Sequence, residues 1–237
     1  MPDQLLPQPP PDAPAPPPGE DAGWSQRKMK WLLWIGVGSM LILLLLSLFL
    51  PRRRGPHNVS EAVNNARLIG MALFEFESEY GKFPDSSTVV AVRHNTGSTL
   101  ALPDRTSNDL FAQLIVSGIA STERLFYAKA KSMRRPDEVF TTDATILEHG
   151  ECAFAYIVGL STTDPFTPIV FGPVIPGTSS LDRKSCQGRA VILKTDNSAT
   201  SLPINSAGKI ILPNGLDLLD PRQPFWHGKP PDVKWPK

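Results

Sequence analysis

Few residues in this chain are of a type and spacing that could do chemistry: four histidines, two cysteines and a short run of glutamates on alternate positions. No two of His57, His94, His149 and His227 stand three or four residues apart. No pair can therefore bring two imidazoles to one helical face and hold a metal. The nearest approach to a catalytic grouping is His149-Gly-Glu-Cys152, a histidine three residues before a thiol. An imidazole beside a thiolate is the arrangement of a Cys-His nucleophile. Here, however, the residues enter a β-rich run, where successive side chains point to opposite faces, and no Asn or Asp is placed to orient the ring. Glu75, Glu77 and Glu79 stand two apart on a helical segment, so they spread around its surface and do not pair. The chain contains no G-x-S-x-G elbow, P-loop or dinucleotide fingerprint. From residues alone we expect no enzyme, no catalytic residue, no cofactor and no metal ligand.

The elements around these residues are easier to read. Residues 31–50 carry no charge and are apolar almost throughout, enough to cross a hydrocarbon core of about 30 Å. Arg27, Lys28 and Lys30 precede the run and Arg52, Arg53 and Arg54 follow it, with Trp31 and Trp34 at the first boundary, where indole rings favour the headgroup region. No small-x-small cleavage site follows in Ser47-Leu-Phe-Leu-Pro-Arg. An uncleaved transmembrane helix over 31–50 is the expectation. Residues 1–30 form a proline-rich tail, with proline at half of the first 18 positions; lacking backbone donors and free φ, it should be disordered and extended, as a spacer or as a docking ligand. Residues 51–57 read as a short linker, with Pro51, Gly55 and Pro56 interrupting the helix.

A domain follows over 58–219. Its first helix should start at Asn58 or Ser60 and stop at Gly81, with Pro84 forbidding its return. Apolar residues at threes and fours make it amphipathic, and Ile69, Leu73 and Phe74 are its expected packing face, with Arg67 and Glu75 in water. Two shorter helices should follow, one over 89–95 and one capped by Ser107 or Asn108 and closed by Gly118. Beyond residue 121 the pattern changes to short β-rich runs at 125–127, 153–158, 169–174, 190–194, 199–204 and 209–212, with Asp196-Asn197 suited to a tight turn. Helices first and an antiparallel meander after them make an α+β domain. The aromatic, proline-rich tail over 220–237, with Phe225, Trp226 and Trp235, is expected either to cover a sheet edge or face of its own domain or to meet a partner.

With 24 basic and 23 acidic residues the net charge is +1, which argues against a nucleic-acid partner, since such a protein should cluster its basic residues on one face. Flanking charge does not orient the membrane helix, because three basic residues stand on each side. Cys152 and Cys186 both lie downstream of it, and such a pair would be oxidised outside the cytoplasm. Two buried free thiols remain the alternative. The expected arrangement is therefore a possible Cys152–Cys186 disulfide, an N-terminus in the cytoplasm and residues 58–237 outside a bacterial inner membrane.

Residues 64–84, ending Glu79-Tyr-Gly-Lys-Phe-Pro84, resemble the stretch after the membrane segment in type II secretion pseudopilins and related pilin-like proteins, and the hairpin over 188–202 is similar to a strand-turn-strand element of the large-domain members. The resemblance implies an N-terminal transmembrane helix followed by an amphipathic helix packed on an antiparallel sheet. It also implies a structural or accessory role, in contact with the membrane and with other protein components of a secretion or surface-assembly apparatus. Residues 31–50 lack the early glutamate of a prepilin, and no Gly-Phe-Thr-like junction follows Lys30, so assembly by the usual route is not implied. The alternative expectation is a membrane-tethered extracytoplasmic ligand-binding or sensor domain.

Overall fold

The computed structural model describes residues 26–49 and 55–237. The expectations for the proline-rich tail up to residue 25 and for residues 50–54 lie outside the described residues. The chain divides into two compact units, residues 1–52 and residues 53–237. In the first, α1 runs from Gln26 to Phe49. Its side chains are described without interruption only from Lys30 to Leu43, and Trp31, Trp34 and Leu43 are among the exposed apolar ones. Among the described residues no helix is long and apolar enough to cross a membrane. The anchor over 31–50 therefore rests on the sequence.

The second unit opens with α2, Gly55–Tyr80. It begins earlier than the capping signals predict, with Pro56 in the first turn, where a missing N–H has no helical partner to lose and the fixed φ suits the helix. Gly81, at φ +81°, ends α2 as expected and donates its N–H to the Glu77 carbonyl at 2.8 Å. The buried stripe is Ala62, Ala66, Ile69, Leu73 and Phe76, spaced by threes and fours. Ile69 and Leu73 occupy the packing face as expected, and Arg67 and Glu75 are exposed. Phe74 does not share that face fully. It is half-buried and stacks on Phe83 at 6.2 Å, while Phe76 takes the fully buried place and stacks on Tyr80 at 4.4 Å. The reason is angular, since residue 76 follows Leu73 and Ile69 by three and seven positions and residue 74 is turned off that line.

Two helices follow, α3 (Val89–Thr96) and α4 (Ser107–Val116). The cap of α4 is Thr106, one residue before the expected one, in a reciprocal box with Asp109. The stretch at 125–127, expected as a strand, is instead the end of a 3-10 turn, Glu123–Phe126, capped by the Thr122 side chain, which accepts the Arg124 N–H. Five strands, β1 (Ala155–Ile157), β2 (Pro168–Gly172), β3 (Arg189–Lys194), β4 (Ala199–Pro203) and β5 (Val233–Lys234), form one antiparallel sheet in the order β4-β3-β2-β1-β5. The run at 209–212 contributes only single bridges, Ile204 to Ile210 and Ile211 to Asp217. The unit is α+β, as expected.

Both faces of the central strands are covered, which is why they read as apolar runs rather than alternating ones. Tyr156, Val170, Val191 and Leu193 face α2 and α4. Ala155, Ile157, Phe171, Ala190 and Ile192 face a second core with Ile204, Ile210, Leu218 and Trp226. The C-terminal segment seals the latter. β5 pairs with the edge of β1, Trp235 meets Phe171 edge-on at 5.6 Å, and Trp226 donates its indole N–H to the Leu218 carbonyl at 2.7 Å. The aromatic tail thus covers an edge and a face of its own domain.

Candidate functional site

Between the 3-10 turn and β1 runs an irregular connection that meets the start of α4, where the Asn108 amide donates to the Leu147 and Glu148 carbonyls at 2.7 and 3.1 Å. A connection with few ladder hydrogen bonds must satisfy its backbone with side chains, and here acidic residues do so. Glu123, fully buried at the start of the turn, accepts the Leu147 N–H on Oε1 at 2.8 Å and the Glu138 N–H on Oε2 at 3.0 Å. Glu138 returns the bond, accepting the Glu123 N–H at 3.0 Å and the Thr122 hydroxyl at 2.7 Å, and pairs with Arg124 Nε at 3.2 Å. Glu151, also fully buried just before β1, accepts the Glu148 N–H on Oε2 at 2.7 Å. Exposed Asp137 accepts the Val139 N–H at 3.0 Å. One carboxylate oxygen from each of Glu123, Asp137 and Glu151 lies within 4.8 Å of the other two.

Burial raises the pKa of both Glu123 and Glu151 above the ordinary carboxylate value, since desolvation disfavours the charged form. The charge of Asp137 pushes both further in that direction, and the backbone donors pull each back in part. The arrangement can hold a proton or a hard cation among oxygen ligands. No sequence reading anticipates it, because the three acids are 14 residues apart along a connection without a repeat. The available signal is local: Glu151 stands directly before the fully apolar run Cys152-Ala-Phe-Ala-Tyr-Ile157, where a charged side chain has little water to reach.

The His149 and Cys152 pair is not assembled as a nucleophile. His149 is exposed, with Nε2 toward Gly177, whereas the Cys152 thiol is buried, donates to the Phe154 carbonyl at 3.4 Å and lies 3.8 Å from the Ser107 hydroxyl. Burial pushes this thiol up to about 12, and a thiol of that acidity is not a nucleophile at neutral pH. The disulfide expected between Cys152 and Cys186 is also corrected, for both are free and buried. Cys186 faces the carbonyls of Asn58 and Lys129, both at 3.9 Å. The physical reason is the strand order. The cysteines precede β1 and β3, and β2 lies between these, so neighbouring positions are about 10 Å apart, beyond the roughly 7 Å that a disulfide spans between Cα atoms.

On the outer side of the same connection, an open cleft of about 610 Å³ is lined by Glu61, Asn65, Arg124, Tyr127, Lys129 and Arg135. Asn65 of α2 forms its floor, donating to the Arg124 and Tyr127 carbonyls at 3.1 and 2.8 Å. Comparison with known proteins finds no matching family model, no matching curated protein and no matching solved structure.

Proposed function

We propose that this chain is a single-pass, membrane-anchored envelope protein of pilin-like architecture, serving as a structural or accessory component of a secretion or surface-assembly apparatus. The reading combines the uncharged run over 31–50 with its basic flanks, the resemblance at residues 64–84, and the domain that follows. The single observation that carries it is the packing of α2 along the antiparallel meander, its stripe from Ala62 to Phe76 buried against the face that holds Val191 and Leu193. The Glu79-to-Pro84 turn fits the same reading, since the Tyr156 hydroxyl donates to the Pro84 carbonyl at 3.1 Å and fixes the end of α2 to the sheet. On this reading the domain lies outside the cytoplasm and its surface, rather than a reactive centre, does the work.

The alternative, a tethered ligand-binding or sensor domain, draws on the cleft of Glu61, Arg124 and Lys129. Its polar, charged lining departs from the mostly apolar walls of small-molecule sites. The experiment that separates the two is crosslinking in intact cells from a photoreactive residue at Met71, an exposed position on α2. An assembly component should give discrete adducts with other envelope proteins, all lost when residues 31–50 are deleted. A sensor should give none, and adducts that persist without the anchor would count against the proposal.

A further inference from the structure

The open cleft beside Asn65 is built with an excess of positive charge. Arg124, Lys129 and Arg135 line it against one carboxylate, that of Glu61. All three cations are exposed, and among the described residues neither Lys129 nor Arg135 has an ion-pair partner. Arg124 meets Glu138 at Nε and has further N–H donors on its fork. The backbone that presents these groups is held in place. Asn65 ties down the Arg124 and Tyr127 carbonyls, and the Lys131 N–H donates to the Asp182 carboxylate at 2.6 Å. Pro136 biases Arg135 to extended backbone. Successive side chains of an extended segment leave on opposite faces. Arg134 is engaged by Glu148, and Arg135 goes to the cleft. A concave surface lined mainly by one sign of charge concentrates counter-ions within it.

We propose that this cleft binds a phosphate group, carried by a soluble anion or by a lipid headgroup. A phosphate spreads strong acceptor oxygens around a tetrahedral centre, so separate cations can meet it from different sides. A carboxylate has its two oxygens in one plane and suits a single fork better. The planar guanidinium groups of Arg124 and Arg135 can each grip a pair of phosphate oxygens, and Lys129 adds a point charge. Tyr127 can supply a neutral hydroxyl donor. The open mouth and polar walls suit a hydrated, charged group and not an apolar small molecule. Glu61 opposes the same ligand, so its charge sets an upper limit on affinity that substitution should lift. This inference rests on the cleft alone, and its failure would leave the membrane reading untouched.

The test uses the full chain in a neutral detergent at constant ionic strength. In one arm inorganic phosphate is titrated by calorimetry and by thermal unfolding; in the other the micelles are doped with phosphatidylglycerol. Phosphate should bind once per chain and raise the unfolding midpoint. Lys129→Gln and Arg135→Gln change exposed residues, so both should fold, and each should weaken phosphate at least fivefold. Glu61→Gln should tighten it at least twofold. Lys229→Gln removes an equal charge from an exposed site elsewhere and should bind as the wild type does. Loss of the phosphate response in phosphatidylglycerol micelles would assign the site to a headgroup, and an unchanged response would assign it to a soluble anion; both support the proposal. A wild type whose midpoint responds to neither phosphate nor phosphatidylglycerol would overturn it. So would a Lys229→Gln variant weakened as much as Arg135→Gln, since net charge and not the cleft would then govern binding.

Discussion

Phe76 and Phe74 differ by two positions and by most of their burial, so they test how the core reads at the scale of one side chain. Phe76→Ala empties a fully buried site and should cost about 3–5 kcal/mol, whereas Glu75→Ala should cost about 0.5 kcal/mol or less. Phe74→Ala, which loses a half-buried ring on Phe83, should fall between, at roughly 1–2 kcal/mol. Denaturant unfolding of the full chain checks all three, and equal effects of Phe74 and Phe76 would contradict the stripe described. The acidic pair yields a pH prediction. Glu123 and Glu151 have folded pKa values raised by burial, so the stability they contribute is complete below the ordinary carboxylate value and is lost as pH rises through the raised one. With chelator present, Glu151→Gln removes its share of that loss, and its midpoint should exceed the wild type's increasingly from pH 5 to 8. A gain of about 1 kcal/mol corresponds to roughly 2–4 °C in a domain of this size. A variant less stable than the wild type at pH 8 in chelator would contradict the assignment. At this scale the sequence was legible where periodicity governs, as at Ile69 and Leu73. It was silent on Glu123 and Glu151, whose burial depends on how an irregular connection folds.

At the scale of elements, α2 packs closely on the β3–β4 hairpin at Gly70. A Cβ built at Gly70 would lie 2.1 Å from Asn197 Oδ1 and 3.1 Å from Leu193 Cδ1. Asn197 occupies the left-handed position of the turn at φ +60°, donates its N–H to the Lys194 carbonyl at 3.0 Å, and leaves Oδ1 buried without a hydrogen bond. Glycine is thus required in the middle of a helix that would otherwise be steadier with alanine by about 0.5–1 kcal/mol. Gly70→Ala should destabilise by roughly 1–3 kcal/mol through overpacking. Asn197→Gly suits the turn and removes the clashing atom, so the double variant should recover at least half of the loss. Additive losses across that cycle, measured by denaturant unfolding, would mean that the two residues do not meet. The turn was readable from Asp196-Asn197 because its chemistry is local. The end of α2 at Gly81 was readable for the same reason, and its start was not, since Pro56 serves equally to stop one helix or begin the next. The strand expected at 125–127 failed because a β-rich triplet cannot show that Thr122 caps a turn ahead of it.

For the whole molecule, order along the chain was the most legible property: apolar run, long helix, short helices, meander and a tail folded back on its own sheet. The disulfide was not legible, because whether two cysteines meet depends on strand order, and β2 separates the strands that follow them. That outcome provides a clean probe of the central claim, that a membrane anchor holds the domain outside the cytoplasm. Both native thiols are buried, and burial pushes Cys152 up to about 12 and Cys186 up to about 11, so the folded chain should be silent to maleimide, which reacts with thiolate. Ser78 is exposed on α2, and Asp12 lies in the proline-rich tail. A membrane-impermeant maleimide applied to spheroplasts, before and after lysis, reads which side each occupies. The account predicts that the chain sediments with membranes, that Ser78→Cys labels fully in intact spheroplasts, and that Asp12→Cys labels only after lysis. A chain recovered in the soluble fraction, or Ser78→Cys protected until lysis, would contradict it.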